Sequence, residues 1–493
     1  MLVNKTVVLG VTGSIAAYKA ADIASKLNQA GAKVEVIMTE SATRFITPLT
    51  FRSLTGRPVV TSMWELASEF SIEHVALAEA ADVVVIAPAT ANIIAHLAAG
   101  IADDMLSCTV LATKAPVILA PAMNVNMFEN PITQENLARL KARGFIIVEP
   151  AYGRLASGKI GLGRLAEVDK ILGTIGQVLG RSGDLAGRRI VVTAGGTREP
   201  IDPVRLIGNR SSGKMGYAMA EAARDRGTTV TLITAPTSLP KPVGIEVIPV
   251  ETALQMREAV AKAVAQADAL IMAAAVADYQ PKSVAKAKIK KETPSLTLEL
   301  IRTPDILTEV KGDFVKIGFA AESEDVVANA KQKLTEKQLD LIVANDITDK
   351  DSGFGVDTNK VTLIDREGRV ESLPLLTKRE VADKILDRVV EMLTGMEFEL
   401  TKYGTIILKD KRNMFPECYV PFSLLSDDVK DEVCVKKDTT AGGQPHIHLK
   451  TDIRREKTKF FRAHPGLKEG DKVRITVIKP MEKYHLELLI ERG

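Results

Sequence analysis

The chain has 493 residues, more than one hydrophobic core serves well, so two or three domains are expected. Apolar residues supply 46% and charged residues 26%, a balance that excludes a disordered or fibrous protein, and the net charge of +3 gives no bulk electrostatic reason for a nucleic-acid partner. The three cysteines, Cys108, Cys418 and Cys434, have neither zinc-knuckle nor redox-pair spacing, which points to a reduced, cytoplasmic setting. No apolar run is long enough to cross a membrane, and MLVNKTVVLGVTGS reads as a strand entering a glycine turn rather than a signal peptide.

From residue 1 to about 180, short β-rich runs alternate with helix-compatible stretches. TVVLGV (6–11), KVEVIMT (33–39), DVVVIAPA (82–89), PVILAPA (116–122) and GFIIVEP (144–150) are continuous apolar strands, the pattern of a parallel sheet covered on both faces. Ligands of such folds bind beyond the carboxyl ends of the strands, where GVTGS, IAPATAN and LAPAMN lie. The polar, glycine-rich segment 181–188 reads as a linker. A second α/β domain is expected over 189–395, with strands in RRIVVTAGG (188–196), TTVTLITAP (228–236), ADALIMAAAVAD (267–278), FVKIGFAAE (314–322) and LDLIVAND (339–346). Residues 396–493 change to short alternating runs separated by turns such as AGGQP and HPGLKEGD, which predicts a small all-β barrel or sandwich.

The first chemical candidates stand at the strand ends. GVTGS (10–14) can bring backbone N–H groups to an anion, or it can be a tight strand-to-helix turn with no ligand. It lacks the full dinucleotide fingerprint, so a mononucleotide suits it better. His74 follows FSIE, Asn124 sits in PAMN with a donor and an acceptor to offer, and Met123 and Met127 read as packing residues.

HVALAEAADVVVIAPATANIIAHLAAGIADDMLS and PAMNVNMFENP resemble the homo-oligomeric flavin-containing cysteine decarboxylases. Together with the second domain, the chain over roughly 1–395 resembles the bifunctional phosphopantothenoylcysteine decarboxylase/phosphopantothenate–cysteine ligases of coenzyme A synthesis. The resemblance implies two Rossmann-like parallel-sheet domains, flavoprotein type then ligase type. It implies FMN in the first, held around Gly13, Ser14, Thr39, Thr90 and Asn92, and a flavin-driven oxidation that lets the cysteinyl group lose carbon dioxide to give 4′-phosphopantetheine. His74 would be the base and Asn124 would hold the substrate carboxylate. One position departs from the pattern. The family carries a cysteine, as proton donor, before GxxGxGR; here LASGKIGLGR (155–164) has Ser157. Ser157 relays a proton, another group such as Cys108 substitutes, or the half-reaction is slow. The last case gives the alternative of a ligase whose decarboxylase half serves as an oligomerisation domain. Gly158, Gly161, Gly163 and Arg164 fit a mobile loop over the substrate phosphate.

The second domain carries TAGGTREPIDPVR (193–205), NRSSGKMG (209–216), AAAVADYQP (273–281) and AKAKIKK (285–291). Read alone, the serines can be helix caps and the lysines a solvated face. Clustered lysines can also neutralise a triphosphate and its leaving pyrophosphate. By resemblance, cysteine is joined to 4′-phosphopantothenate with CTP as co-substrate and Mg²⁺ bridging phosphates. Asn209 would stabilise an acyl-cytidylate and Lys288 would contact the activated nucleotide. Ala274, Asp278, Pro304, Asp305, Ile306, Leu307, Phe319, Lys333 and Lys337 would line the CTP site. The resemblance also implies decarboxylase trimers and ligase dimers, combined in a dodecamer. It does not reach 396–493, where His446, His448 and Cys434 give three of the four ligands that zinc wants. Phe460 and Phe461 lie there among lysines and arginines, so nucleic-acid contact is conceivable only through this segment.

Overall fold

Runs rich in apolar, β-branched residues make strands buried on both faces at the centre of the first sheet, which has six strands. They are β1 (Thr6–Val11), β2 (Lys33–Met38), β3 (Val59–Val60), β4 (Val83–Ala89), β5 (Val117–Pro121) and β6 (Ile146–Ile147). All are parallel, in the order β3-β2-β1-β4-β5-β6. Alternate residues of β1 feed two cores. Val7, Leu9 and Val11 pack with Ile23, Leu27 and Ile175, and Val8 packs with Ile93, Ile94 and Leu106. The computed structural model describes residues 2–64, 73–290, 296–322, 325–346 and 355–394, and the strands 396–400, 406–408, 438–439, 445–446, 472–479 and 483–489.

Helix ends follow from local chemistry. Thr90 caps the helix Ala91–Ala99 by accepting the Ile93 N–H at 3.4 Å, and Gly100 ends it in the left-handed region. Asp104 and Ser107 form a reciprocal capping box on the helix Met105–Ala112. The expected strand over 144–150 shrinks to β6, two residues long. The expected mobile loop over 155–164 is instead a β-hairpin of β7 (Ala151–Arg154) and β8 (Ile160–Arg164), with Ser157 in its turn.

The predicted linker is folded rather than free. Leu185 is fully buried and its N–H donates to Arg226 O at 3.1 Å, while the Arg226 guanidinium grips Asp184. The helix Val168–Gly180 lies against the helix Lys214–Asp225 because its glycines leave room. A Cβ on Gly176 would stand 2.6 Å from the Asp225 carboxylate, and one on Gly180 would stand 2.0 Å from the Asp225 carbonyl oxygen. No side chain fits such a gap.

The second sheet contains β9 (Arg189–Ala194), β12 (Thr229–Thr234), β13 (Glu246–Pro249), β14 (Ala269–Met272), β17 (Val315–Glu322), β18 (Leu341–Asp346), β20 (Val361–Asp365) and β21 (Val370–Ser372). The intervening numbers are short ribbons: β10 (Arg198–Pro200) with β11 (Leu206–Gly208), β15 (Tyr279–Pro281) with β16 (Leu300–Arg302), and β19 (Thr358–Asn359) with β22 (Leu376–Thr377). The sheet order is β13-β12-β9-β14-β17-β18-β20-β21. Counted from its own first strand, the parallel part repeats the order of the first sheet. The expectation of an all-parallel sheet is corrected at one edge, where β20 and β21 run antiparallel.

The chain divides into two compact units, Met1–Asp383 and Lys384–Gly493. The later unit holds an antiparallel sheet of β23 (Met396–Leu400), β24 (Ile406–Leu408), β27 (Lys472–Lys479) and β28 (Lys483–Leu489), and a ribbon of β25 (Asp438–Thr439) with β26 (Pro445–His446). The barrel expectation falls mostly outside the described residues, as do Cys434, His448, Phe460 and Phe461.

Candidate active sites

In both sheets the chain leaves the first strand in one direction and returns to the neighbouring fourth strand of its half from the other. The carboxyl ends of β1 and β4, and of β9 and β14, therefore flank a crevice, the usual ligand position in such folds. At the first crevice, buried Thr12 ties the two strand ends. Its hydroxyl donates to Pro88 O at 2.7 Å and accepts the Thr90 N–H at 3.1 Å. Gly13 is required by closeness, since a Cβ there would lie 2.4 Å from Ser41 Cβ. Ser14 accepts the Ala16 N–H at 3.2 Å where the helix Ala17–Gln29 begins. Thr39 ends β2 with its Oγ1 buried and without a hydrogen-bond partner. Asn92 is exposed on the first turn of the helix that Thr90 caps.

An orphaned buried hydroxyl, a glycine turn and a long helix's N-terminus converge at these strand ends. That donor set suits the phosphate and ribityl chain of a flavin mononucleotide.

The end of β5 brings together two predicted residues 33 positions apart. Asn124 Nδ2 donates to Ser157 Oγ at 3.2 Å, and Asn124 Oδ1 accepts the Asn126 N–H at 3.0 Å. Glycines let the hairpin reach this place. Met123 N–H donates to Gly163 O at 2.9 Å, and Gly163, at φ +140°, leaves only 2.3 Å between an added Cβ and Met123 O. His74 is half-buried on the first turn of the helix Glu73–Ala80, and no hydrogen bond among the described residues joins it to Asn124 or Ser157. Cys108 is half-buried against Met63 Sδ (3.6 Å) and Ala102 O (3.4 Å). Burial, then Asp104 and Asp103, pushes its thiol pKa up, which suits packing better than proton donation. Met123 packs on the core as expected, but Met127 is 49% exposed.

At the second crevice, Thr193 Oγ1 accepts the Ala274 N–H (3.1 Å) and Thr197 Oγ1 accepts the Ala277 N–H (2.9 Å), again stitching two strand ends. Asn209 Nδ2 donates to Val276 O at 2.9 Å, which places it beside Ala274 and the exposed Asp278. Lys214 is engaged by Asp357 Oδ1 (2.7 Å) and Gly355 O. Asp305 Oδ2 pairs with Lys337 Nζ at 3.1 Å, so the Pro304–Leu307 segment and the end of the helix Val326–Glu336 meet. Ile306 and Leu307 send their side chains into the core, so only their backbone can face a ligand. Phe319 is half-buried near the end of β17, and Lys333 is half-buried on the same helix turn as Lys337.

Sequence reasoning passed over two groups. Asp202, fully buried at its side chain, binds the turn after β10 to the lysine segment. Buried Lys316 donates to Leu307 O (3.1 Å) and Val310 O (2.9 Å), and burial pulls its ammonium pKa down. The Asp202 tie spans 87 positions while the Lys316 bonds span nine and six, and the only sequence signal was a charged residue inside an otherwise strand-like or turn-like run. A cleft lined by Arg189, Thr229, Glu246 and Lys262 lies at the amino ends of the second sheet's strands, away from all predicted residues.

Residues 1–180 match the Flavoprotein family, and residues 185–393 match the DNA/pantothenate metabolism flavoprotein C-terminal domain. The fold and crevices thus belong to a flavoprotein joined to a pantothenate-metabolism domain. The chain is 48% identical over 398 residues to the coenzyme A biosynthesis bifunctional protein CoaBC of Bacillus subtilis, covering 80% of this chain and 98% of that one. It is 44% identical to its counterpart in Vibrio cholerae, covering 80% and 99%. The solved FMN-dependent cysteine decarboxylase SpaF is 34% identical, covering 36% of this chain and 97% of that one, with a TM-score of 0.32. The chain belongs to the family of coenzyme A biosynthesis bifunctional proteins.

Proposed function

We propose that the crevice at β1 and β4 is the decarboxylase site and the crevice at β9 and β14 the ligase site. The protein is a bifunctional enzyme of coenzyme A biosynthesis, a phosphopantothenoylcysteine decarboxylase that uses FMN joined to a phosphopantothenate–cysteine ligase. Family membership favours both activities over the ligase-only reading.

When bound, FMN supplies the two-electron oxidation and return that make the cysteinyl carboxylate a leaving group. Gly13, Ser14, Thr39, Thr90 and Asn92 would hold it. His74 takes the proton at the reacting end of the substrate. Asn124 keeps one amide hydrogen for the substrate carboxylate, because its other donor is spent on Ser157. Ser157 accepts from Asn124 and so retains its own O–H for proton delivery to the enethiolate. The observation that carries this reading is the Asn124–Ser157 bond at a strand end beside the crevice.

In the ligase half, the 4′-phosphopantothenate carboxylate attacks the α-phosphorus of CTP and pyrophosphate leaves. The cysteine amine then attacks the acyl carbon and CMP leaves. Lys288 offsets the phosphate charge, and the second amide hydrogen of Asn209 meets the acyl-cytidylate. Ala274, Asp278, Pro304–Leu307, Phe319, Lys333 and Lys337 frame the nucleotide. Mg²⁺ accompanies the triphosphate. Among the described residues no three His, Cys, Asp or Glu side chains gather around a metal position, and no step is assigned to the ion.

Trimers built around the flavin crevice, paired through ligase halves into a dodecamer, suit the exposed apolar residues Ile15, Tyr18, Tyr152 and Ile160 on the first half. Among the described residues no helix is long and apolar enough to cross a membrane. The proposal places the enzyme in the cytoplasm. Its test is anaerobic: FMN-loaded chain is mixed with phosphopantothenoylcysteine, and flavin absorbance and product mass are followed. Bleaching with recovery and 4′-phosphopantetheine is the expected result. Flavin that stays reduced beside an unsaturated thiol would show that Ser157 does not complete the cycle.

A further inference from the structure

Asp202 stands in the turn between β10 and β11, its carboxylate wholly inside the protein. Both oxygens are fully used, and they serve different parts of the chain. Oδ1 accepts the Val204 and Arg205 N–H groups, each at 2.8 Å, and so closes its own turn. Oδ2 accepts the Ile289 N–H at 3.1 Å and Arg205 Nη1 at 3.2 Å. Arg205 Nη2 then reaches Ile289 O at 3.3 Å, so both backbone polar groups of Ile289 are fixed by the same turn. A third tie, Ala285 N–H to Ile201 O at 2.9 Å, holds the other end of the segment. The residues held by the turn, Ala285 and Ile289, are half-buried, whereas Lys286, Lys288 and Lys290 are exposed.

Three lysines within five residues repel one another, and such a segment free in water would sample many conformations. We infer that Asp202 is the positioning residue of the ligase half: its buried carboxylate fixes the backbone of 285–290 and so holds Lys288 where the phosphate charge develops. The inference rests on the reading of Lys288 given above. Burial opposes the carboxylate's charge, but the Val204, Arg205 and Ile289 N–H donors and the Arg205 guanidinium outweigh it and keep the group ionised below the usual carboxylate range. An ionised carboxylate can accept on both sides, and a neutral amide cannot.

That difference gives the test. In Asp202→Asn the amide oxygen still closes the turn to Val204 and Arg205. The amide nitrogen, now facing the Ile289 N–H and Arg205, severs the tie to the lysine segment. The experiment uses the full-length chain loaded with FMN, whose decarboxylase half reports folding independently. Ligase kcat should fall about 10²-fold, the effect of misplacing a charged group by an ångström or so. The KM for cysteine and the rate of phosphopantothenoylcysteine decarboxylation should stay within about twofold on the same argument. Trypsin should cut after Lys286, Lys288 and Lys290 faster than in the parent chain.

A D202N chain with parental ligase kcat, or with lost kcat but parental protection of the segment, overturns the inference. If D202N also loses the decarboxylase it has not folded, and Arg205→Lys decides. That variant keeps the charge but cannot reach both Asp202 and Ile289, so a kcat loss with faster cleavage is expected and parental values in both overturn the inference. Lys288→Gln separates the two levels. Full ligase activity in K288Q sinks the Lys288 reading, and the trypsin pattern of D202N still reports whether the tie exists.

Discussion

Ser157 accepts a hydrogen bond from Asn124, yet as a proton donor it is far weaker than the thiol its family places there, whose ordinary pKa is about 8.5. Ser157→Cys should therefore speed steady-state formation of 4′-phosphopantetheine and shorten the lifetime of reduced flavin, both read by stopped-flow absorbance; an unchanged lifetime would mean that protonation is not the slow step. The Asp305–Lys337 pair makes a pH prediction. Burial raises the Asp305 pKa, but the bonds from Lys337 and Thr308 outweigh it and hold the carboxyl below its ordinary value. A depressed carboxylate pKa contributes stability above the unfolded value and loses it as pH falls through the folded one. The 304–307 segment should loosen below about pH 4. Asp305→Asn should abolish that acid limb and raise the KM for CTP near neutrality. Both partners are partly exposed, so the change in stability stays below about 1 kcal/mol and KM is the sharper readout. Asn124 was legible as a donor and acceptor at a strand end, whereas Ser157, Asp305 and Lys337 were reached through the resemblance to the family and not from position or spacing. The sequence did not point to Asp202, since an aspartate after a proline and an isoleucine looks like any turn residue, and its partner Ile289 lies 87 positions away.

At the scale of elements, the hairpin of β7 and β8 is the part of the first site most dependent on backbone shape. Gly163→Ala would force a side chain into Met123 O at a φ that L-residues avoid, at a cost of about 1–3 kcal/mol. The hairpin must then lift from PAMN, so decarboxylation should fall more than tenfold, by the same misplacement argument, while ligase activity in the same chain is unchanged; equal loss of both would mean global unfolding instead. The long strands were readable because each carries a run of apolar residues, VVLGV in β1, VVVIA in β4 and LIVA in β18. The hairpin was not, because Ala151–Arg154 and Ile160–Arg164 carry glycines and exposed side chains that read as a loop. The antiparallel edge of β20 and β21 was missed for a related reason: Val370–Ser372 is three residues long and has no apolar face of its own. Pairing partners, more than local preference, make these segments strands.

At the scale of the molecule, two sheets of the same strand order place two crevices on one polypeptide, and both fall within Met1–Asp383. A chain ending at residue 395 should keep both kcat values within about twofold, since no predicted catalytic residue lies beyond it; loss of either activity would assign the later unit a direct role in catalysis. The boundary between the halves was legible only as a change of composition. Glycine and polar residues suggested a tether, whereas Leu185, Asp184 and the contacts of Gly176 and Gly180 with Asp225 make it a fitted joint. That joint bears on how such an enzyme can be recombined. A hybrid that takes its flavin half from one relative and its ligase half from another inherits two unmatched surfaces if the crossover falls at residue 181. The notch cut by the small residues of 176–183 and the ridge formed by Asp225 and Arg226 are one lock and key, and they must be inherited together. Successful grafts will carry the segment 168–188 with the ligase it fits, and the natural unit of exchange is longer than the catalytic domain whose name it bears.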